Sequence, residues 1–389
     1  MKLLFIHDHS FFKEGDIIYS GGGLPAAVWT NNYLPYFDNM TVIGRDGNSK
    51  NKKAAKVISS IDRVVFKLIG EYSSIKNYFL YYYKIKRKIE EEILKTDITV
   101  VRLHSVLGFM AISILHKYQK PYFVEVIASA RESLWMHGSI KGKLTACYFD
   151  QLMKKNIKMA PYVVYISNKV RNEYPSDGYS EVISDVILPQ ILHPKELLLN
   201  RFNSKVIKIG LIGSFAARYK GQDILLKAIS ELNDNIKSNI ELYFWGSGEF
   251  NWLTKLAIKL NLGTNIRYIG SMLHEELFNM LMDLSLYVQP SYTESGPRAI
   301  LEAMSMGCPA LGSTVGFIPE VISYEYLHQP GDYKKLSKQI KIFYENRELL
   351  EKEAFRNLEA AKLFLKDNLD KKRKEFYIKL KNGYSQLIV

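Results

Sequence analysis

The segment KVIKIGLIG (Lys205–Gly213) decides the fold that the sequence predicts. It is a short apolar run, and after one loop the helical stretch GQDILLKAISELN (Gly221–Asn233) follows it. Further runs of the same kind come later in the chain: IELYFWG (Ile240–Gly246), NIRYIG (Asn265–Gly270), LSLYVQPS (Leu284–Ser291) and PALGST (Pro309–Thr314). Apolar strands separated by helices of crossover length indicate a parallel sheet.

The amino-terminal half has the same plan. Its predicted strands are KLLFIH (Lys2–His7), MTVIGR (Met40–Arg45), ITVVRLH (Ile98–His104), YFVEVI (Tyr122–Ile127) and YVVYIS (Tyr162–Ser167). Between the halves, ILPQILHPKELLLN carries Pro189 and Pro194 and is typical of a linker. We therefore predict an α/β protein with two Rossmann-like, doubly wound domains, 1–195 and 196–365. We expect a charged terminal helix, 366–389, to pack back on one of the two domains, with the amino-terminal domain as the candidate.

Composition sets the class of protein. The chain has 389 residues, 47% of them apolar and 24% charged, which is a globular composition long enough for two domains. The first residues do not resemble a signal peptide, and the longest apolar stretch is too short to span a membrane. The two cysteines fit no zinc pattern and predict free thiols in a reducing compartment. The net charge of +13 predicts an anionic partner: nucleic acid, membrane or phosphorylated substrate.

A basic loop follows the strand that begins at Lys205. In GLIGSFAARYKGQD (Gly210–Asp223), Arg218 and Lys220 lie where the loop enters the next helix. A pair of cations beside free backbone N–H groups suits a diphosphate. The alternative is an exposed loop that is basic by chance.

A second motif, ESGPRAILEAMSMG (Glu294–Gly307), places two glutamates eight positions apart at a later strand–helix turn. Pro297 suits the first turn of a helix, with Ser295 or Gly296 as its cap. Glu302 then lies in the second turn, where a carboxylate can hold a vicinal diol such as a ribose, and Glu294 can hold hydroxyls of another sugar. The alternatives are a solvated loop position for Glu294 and an exposed helix face for Glu302.

Together these motifs resemble the retaining glycosyltransferases of family 4 (glycosyl transferases group 1), of the bacterial surface-polysaccharide type. The segment TESGPRAILEAMSMGCPALGSTVGFIPEVI (Thr293–Ile322) is similar to the family signature, and WGSGE (Trp245–Glu249) supplies a Gly-x-Gly after a strand. The resemblance is strong after residue 205 and weak before it. It implies the GT-B fold, in which two doubly wound domains face each other across a cleft.

The resemblance also implies a role for each matching position. Arg218 and Lys220 hold the donor diphosphate, so that no metal or other cofactor is needed. Glu294 contacts the donor sugar and Glu302 the ribose. The remaining donor positions are Gly213, Gly246, Gly248, Ile269, Gly270, Ser295, Gly296, Pro297 and Arg298. Gly296-Pro297 stands where the family often has an aromatic residue and glycine, which leaves the sugar contacts open.

The amino-terminal domain offers weaker candidates. SGGGLPAAVW (Ser20–Trp29) resembles the family loop that reaches the donor phosphates, through Gly22 and Gly23. The strand ending at His104 matches a position where the family often has a histidine beside the transferred sugar; a structural histidine is an equal alternative. Arg131 and His137 align with a loop on the acceptor side.

The implied reaction moves a hexosyl unit from a nucleotide diphosphate sugar, UDP rather than GDP, to a hydroxyl with retention. The segment KNYFLYYYKIKRK (Lys76–Lys88), near the lysines 50, 52, 53 and 56, interleaves aromatic residues with cations and suits an anionic membrane. The alternative is a solvated helix packed through its tyrosines. We expect a cytoplasmic protein at the inner face of the membrane, acting on a lipid-diphosphate-linked glycan in capsule, O-antigen or exopolysaccharide synthesis.

Two other functions remain open. A nucleotide-sugar epimerase shares the scaffold and would convert a sugar nucleotide without an acceptor. A non-catalytic partner subunit would have lost the phosphate-binding residues, which this chain retains. Binding to nucleic acid is disfavoured because the basic residues are dispersed and no motif of that class occurs.

Overall fold

The computed structural model describes residues 1–21, 23–47, 57–70, 75–131, 140–192, 201–263, 265–270, 272, 274–294, 296 and 298–385. It contains two compact units. The first comprises Met1–Ile183 with Asp370–Val389, and the second comprises Ser184–Leu369. Among the described residues, no helix is both long and apolar enough to cross a bilayer.

The first unit is built on a mostly parallel sheet. Its strands are β1 (Lys2–Glu14), β2 (Ile17–Ser20), β3 (Asn39–Asp46), β4 (Val57–Ile58), β5 (Val64–Ile69), β6 (Ile98–Leu103), β7 (Tyr122–Val126), β8 (Tyr162–Tyr165) and β9 (Tyr179–Val182). The parallel order is β5-β3-β1-β6-β7-β8-β9, and β2 pairs antiparallel with β4 and with the end of β1. The sequence predicted the parallel strands β1, β3, β6, β7 and β8 but not β2, β4, β5 and β9.

Helices cover both faces of this sheet: α1 (Ala26–Asn32), α2 (Ile75–Leu80), α3 (Tyr82–Leu94), α4 (Val106–Tyr118), α5 (Ile140–Lys158) and α6 (Asn168–Glu173). On one face α3 buries Ile85, Ile89 and Ile93, a spacing of four that keeps them on one side of the helix. On the other face Phe5 packs edge-on against Trp29, with ring centroids 5.1 Å apart.

The second unit has a fully parallel sheet, ordered β12-β11-β10-β13-β14-β15. Its strands are β10 (Ile207–Ile212), β11 (Ile240–Trp245), β12 (Ile266–Ile269), β13 (Leu286–Gln289), β14 (Ala310–Ser313) and β15 (Leu327–His328). One apolar core contains residues of α7 (Gln222–Ser230), α9 (Asn251–Lys259), α13 (Tyr333–Glu345) and α14 (Arg347–Ala361). A second core contains residues of α10 (His274–Met282), α11 (Arg298–Ser305) and α12 (Ile318–Val321); the short helix α8 spans Asp234–Lys237.

The division between the units differs from the predicted boundaries at 195 and 365. Val186 and Leu188 are buried in the core of the second unit, and the Leu188 N–H donates to the carbonyl of Phe364 at 2.9 Å. Pro189 therefore belongs to the second unit, whereas Pro194 lies outside the described residues.

The last helix, α15 (Lys366–Gly383), brings the end of the chain onto the first unit. Phe376 packs against Phe123 of β7, with ring centroids 5.6 Å apart. The Lys381 ammonium donates to the Tyr36 carbonyl at 2.6 Å, and the Tyr384 hydroxyl donates to the Tyr122 carbonyl at 2.9 Å. Aromatic burial and these hydrogen bonds fix residues 370–385 on the first unit.

Candidate functional site

Several predicted donor residues of the second unit lie in loops at the carboxyl ends of β10, β11 and β13. The loop after β10 forms a short 3-10 turn, Arg218–Lys220, which ends at Gly221 with φ of 77°. A side chain at Gly221 would approach the Pro290 carbonyl oxygen to 2.1 Å, and the Tyr292 N–H donates to the Tyr219 carbonyl at 2.7 Å. Glycine thus lets the basic turn pack directly on the loop that follows β13.

This packing brings Lys220 and Glu294 together. The Lys220 Nζ lies 2.6 Å from the Glu294 Oε2, and their side chains are only 21% and 7% exposed. Behind the pair, Gly316 has φ of 55°, and a Cβ there would overlap the Glu294 carbonyl oxygen at 1.5 Å. Glu294 is therefore a buried, anchored carboxylate and not the solvated loop residue that the sequence left open.

A chain of hydrogen bonds leads from β13 to the same carboxylate. The Tyr287 hydroxyl donates to the Gln289 Oε1 at 2.6 Å, and the Gln289 amide donates to the Ser291 Oγ at 2.8 Å. The Ser291 hydroxyl reaches the Glu294 Oε2 at 3.5 Å. Burial raises the pKa of Tyr287 well above its ordinary value, and the charges of Glu294 and Glu302 act in the same direction. The charges of both glutamates therefore act on one buried phenol.

Glu302 lies on α11 and is only 5% exposed. Its neighbours Ile300, Leu301, Ala303 and Met304 are buried as well. The interpretation of Glu302 as part of an exposed helix face is therefore wrong. A charged side chain is rarely buried to this degree without a structural or functional reason.

Arg218 and Lys220 point to different partners. Arg218 is exposed, and its guanidinium lies 4.9 Å from the centre of the Trp252 ring. The Trp252 Nε1–H donates to the Phe215 carbonyl at 2.9 Å, which fixes the indole beside the loop after β10. The two predicted diphosphate ligands thus have separate contacts, Arg218 with an indole ring and Lys220 with Glu294.

The predicted glycines divide into packed and open positions. A Cβ at Gly246 would come within 2.1 Å of the Gly213 carbonyl oxygen, and one at Gly213 within 2.9 Å of the Lys220 Cγ. Gly248 has φ of 97°, in the region that favours glycine. Gly270 has no atom within 4 Å of such a Cβ. The absence of side chains at Gly246 and Gly213 thus lets the ends of β10 and β11 approach each other closely.

Ile269 and Gly296 are two further predicted donor positions in the second unit. Ile269 ends β12, and its carbonyl accepts the Gly246 N–H at 3.1 Å. Gly296 accepts the Arg298 N–H at 2.8 Å, immediately before the exposed Arg298 begins α11. Gly22, Ser295, Pro297 and His137 lie outside the described residues.

In the first unit, His104 follows β6 directly and is half-buried. It lies near His7, whose pKa is held well below its ordinary range by burial first and then by the charges of Arg102, His9, His104 and Arg45. Gly23 lies against His9, because a Cβ there would come within 3.2 Å of the imidazole. Arg131 is exposed at the end of its described stretch.

His7 and His9 were missed as site candidates. Their rings are stacked with centroids 6.4 Å apart, and the His9 Nε2 lies 2.8 Å from the Ser20 Oγ. Burial, with Arg102 and Arg45, lowers the pKa of His9 to about 4. The available signal was their place in HDH directly after the apolar run LLFI, where the parallel pairing of β1 with β6 ends. In the described part of the chain, no group of His, Cys, Asp or Glu side chains suits a metal ion.

The comparisons with known proteins agree with this architecture. A family model described as Glycosyl transferases group 1 matches residues 200–357. Protein CapJ of Staphylococcus aureus is 37% identical over 356 residues, which cover 91% of this chain and 88% of CapJ. The solved structure of sucrose-phosphate synthase from Thermosynechococcus elongatus is similar with a TM-score of 0.68 at 15% identity, covering 98% of this chain and 100% of that one. Anabaena HepE in complex with UDP-glucose has a TM-score of 0.64 at 16% identity, with coverages of 96% and 98%.

Two helix-covered, mostly parallel sheets with these structural relatives show the GT-B fold, which confirms the predicted fold class. The chain belongs to the glycosyl transferases group 1 family.

Proposed function

We propose that this glycosyltransferase moves a hexosyl unit from a nucleotide diphosphate sugar to a hydroxyl of a lipid-linked glycan, with retention at the anomeric carbon. The observation that carries the proposal is the buried meeting of Lys220 and Glu294 at 2.6 Å, with Glu302 buried on the helix that follows. A cation and two carboxylates at the carboxyl ends of parallel strands match the diphosphate and the two sugars of such a donor.

Each charged side chain has a chemical task in this proposal. A carboxylate accepts two hydrogen bonds at once, so Glu302 holds the ribose diol and Glu294 holds hydroxyls of the transferred sugar. Lys220 and Arg218 bind the diphosphate. Because Lys220 contacts Glu294, a donor diphosphate that binds Lys220 exchanges one ion pair for another and releases Glu294 to the sugar.

The chemical step breaks the bond between the anomeric carbon and the departing phosphate oxygen. The acceptor oxygen attacks from the same face, and the departing phosphate oxygen takes the acceptor proton. Negative charge develops on the leaving diphosphate, and Lys220 and Arg218 stabilise that charge. We propose that these cations do this without a metal ion, with UDP as the leaving nucleotide; the UDP-glucose complex of the structural relative HepE supports this choice.

The acceptor proposal rests on charge and on relatedness. The chain carries a net charge of +13, which favours an anionic surface or substrate. Its similarity to CapJ supports a role in capsule or related surface-polysaccharide synthesis. We propose a lipid-diphosphate-linked glycan at the inner face of the membrane as the acceptor.

Calorimetric titration of UDP and of GDP into the full chain, without metal, tests the donor site. We expect one nucleotide to bind to the wild type and its affinity to fall at least tenfold in Glu302→Ala. Glu345→Ala is the matched control, since Glu345 is an exposed glutamate on α13 of the same unit. If the folded wild type binds neither nucleotide, the donor proposal is wrong. Equal losses in both variants would mean that Glu302 has no specific role.

A further inference from the structure

The densest group of exposed apolar side chains in the described structure lies where α2 meets α3. Phe79, Leu80 and Tyr83 are 72%, 68% and 85% exposed, and they lie within five consecutive positions. Exposed apolar residues scattered singly are normal, but a contiguous group marks a surface that contacts something else.

The packing of α3 explains why these side chains face outward. Ile85, Ile89 and Ile93 occupy the buried stripe, and Tyr82 packs partly against the same core. Residues at the spacing of Leu80, Tyr83 and Arg87 lie on the opposite side of the helical segment. Packing through the tyrosines, the alternative left open by the sequence, therefore applies to Tyr82 and not to Tyr83.

Cations surround this apolar group. Lys84 and Arg87 are exposed, and Lys86 and Lys88 are half-buried beside them. Arg87 is paired with Glu91 at 3.1 Å, and the acidic residues of α3 are confined to its second half, from Glu90 onwards. The first half of α3 thus carries exposed apolar surface at its beginning and basic side chains next to that surface.

We propose that Phe79, Leu80 and Tyr83 insert into the interface of an anionic bilayer while the lysines and Arg87 contact lipid phosphates. Charge complementarity selects this partner, because aromatic and leucine side chains with basic residues around them match the interfacial zone of an anionic membrane. The proposal deepens the lipid-acceptor part of the proposed function and names the surface that would bring the first unit to its substrate.

Flotation with vesicles tests the proposal on the full chain. The vesicles are phosphatidylcholine alone, or phosphatidylcholine and phosphatidylglycerol in equal amounts. We expect binding to the anionic vesicles only, and at least tenfold weaker partitioning for Phe79→Ser/Leu80→Ser/Tyr83→Ser. Ile258→Ser/Leu363→Ser removes side chains that are 69% and 61% exposed in the second unit and serves as the matched control.

A charge variant separates insertion from electrostatic attraction. Lys84→Gln/Arg87→Gln/Lys88→Gln should also weaken binding about tenfold or more, and added salt should reduce that difference. The proposal is overturned if the wild type ignores anionic vesicles, or if the serine variant and its control bind alike. A dimer that dissociates only in the serine variant, without vesicle binding, would identify a second copy as the occupant instead.

Nucleotide titration of the same variants keeps the two proposals apart. The serine and glutamine variants should bind UDP or GDP as the wild type does, because their residues lie in the first unit and the donor residues lie in the second. Loss of vesicle binding with intact nucleotide binding would thus concern the membrane surface alone. Absence of nucleotide binding with intact vesicle binding would overturn only the donor proposal.

Discussion

Lys220 and Glu294 form a buried ion pair between two loops of the second unit. Their side-chain atoms meet at 2.6 Å although the residues are 74 positions apart in the chain. They come from loops at the ends of the neighbouring parallel strands β10 and β13, so the sheet order itself creates the pair. A diphosphate that takes Lys220 from Glu294 would free a carboxylate beside the sugar at the moment of binding.

Removing Lys220 should destabilise the second unit. Lys220→Met leaves the Glu294 carboxylate buried without its cation, which should lower the free energy of unfolding by about 2 kcal/mol. Lys227→Met is the control, because its partner Asp223 forms a more exposed pair within one helix and should change stability by about 0.5 kcal/mol. Urea denaturation measures both.

The double variant Lys220→Met/Glu294→Gln separates the pair from local packing. A neutral amide is less costly to bury than an unpaired carboxylate, so the double variant should be more stable than Lys220→Met alone. Equal or lower stability of the double variant would contradict an electrostatic origin of the loss.

Trp252 should hold Arg218 in position for the nucleotide. A cation–π contact contributes about 1 kcal/mol, so Trp252→Leu should weaken nucleotide binding about fivefold. Trp252→Phe keeps an aromatic face and should lose less. Calorimetry on Arg218→Ala, Trp252→Leu and the double variant measures the coupling. Independent, additive losses would show that the indole does not act through Arg218.

The sequence predicted most of what depends on local patterns. Strand–helix alternation gave the five longer strands of the second sheet, because buried parallel strands are continuous apolar runs. Missed strands such as β2 and β4 are short or lie partly in solvent, where apolar patterning is weak. The boundary predicted near residue 195 lies too late in the chain. Prolines mark turns, but they do not show that Leu188 is buried in a core of the second unit.

For the candidate site, the sequence identified residues but not their contacts. The pattern predicts that Arg218 and Lys220 hold one diphosphate, but it does not predict their contacts. Trp252 of α9 lies beside Arg218, and Glu294 from the loop after β13 pairs with Lys220. Such contacts follow from sheet order and loop packing, which single-sequence patterns do not encode.

Replacement by alanine should destabilise the protein at Gly246 and have little effect at Gly270. A Cβ at Gly246 would collide with the Gly213 carbonyl oxygen at 2.1 Å, so Gly246→Ala must shift backbone and should cost about 3 kcal/mol or more. Gly270→Ala meets no atom within 4 Å and should change stability by less than about 0.5 kcal/mol. Thermal unfolding of the two variants makes the comparison. Similar stabilities would contradict the close approach of the strand ends after β10 and β11.

His328 should make the second unit sensitive to acid. The ring is fully buried on β15, and burial lowers its pKa to about 4 against the opposing effects of Gln339 and Asp332. In the unfolded chain this histidine binds a proton below pH 6.5, its ordinary pKa, whereas in the folded protein it stays neutral until the pH falls to about 4. Stability should therefore fall as the pH decreases from 6.5 towards 4, by up to about 3 kcal/mol from this residue.

His328→Leu isolates that contribution. Leucine fills the buried site without a titratable group, so urea denaturation across this pH range should show a shallower loss of stability than in the wild type. Part of the loss should persist, because His9 also has a pKa lowered to about 4. His9 belongs to the first unit and His328 to the second, so probes in each unit can assign the two contributions. Identical pH profiles of variant and wild type would mean that folding does not change the pKa of His328.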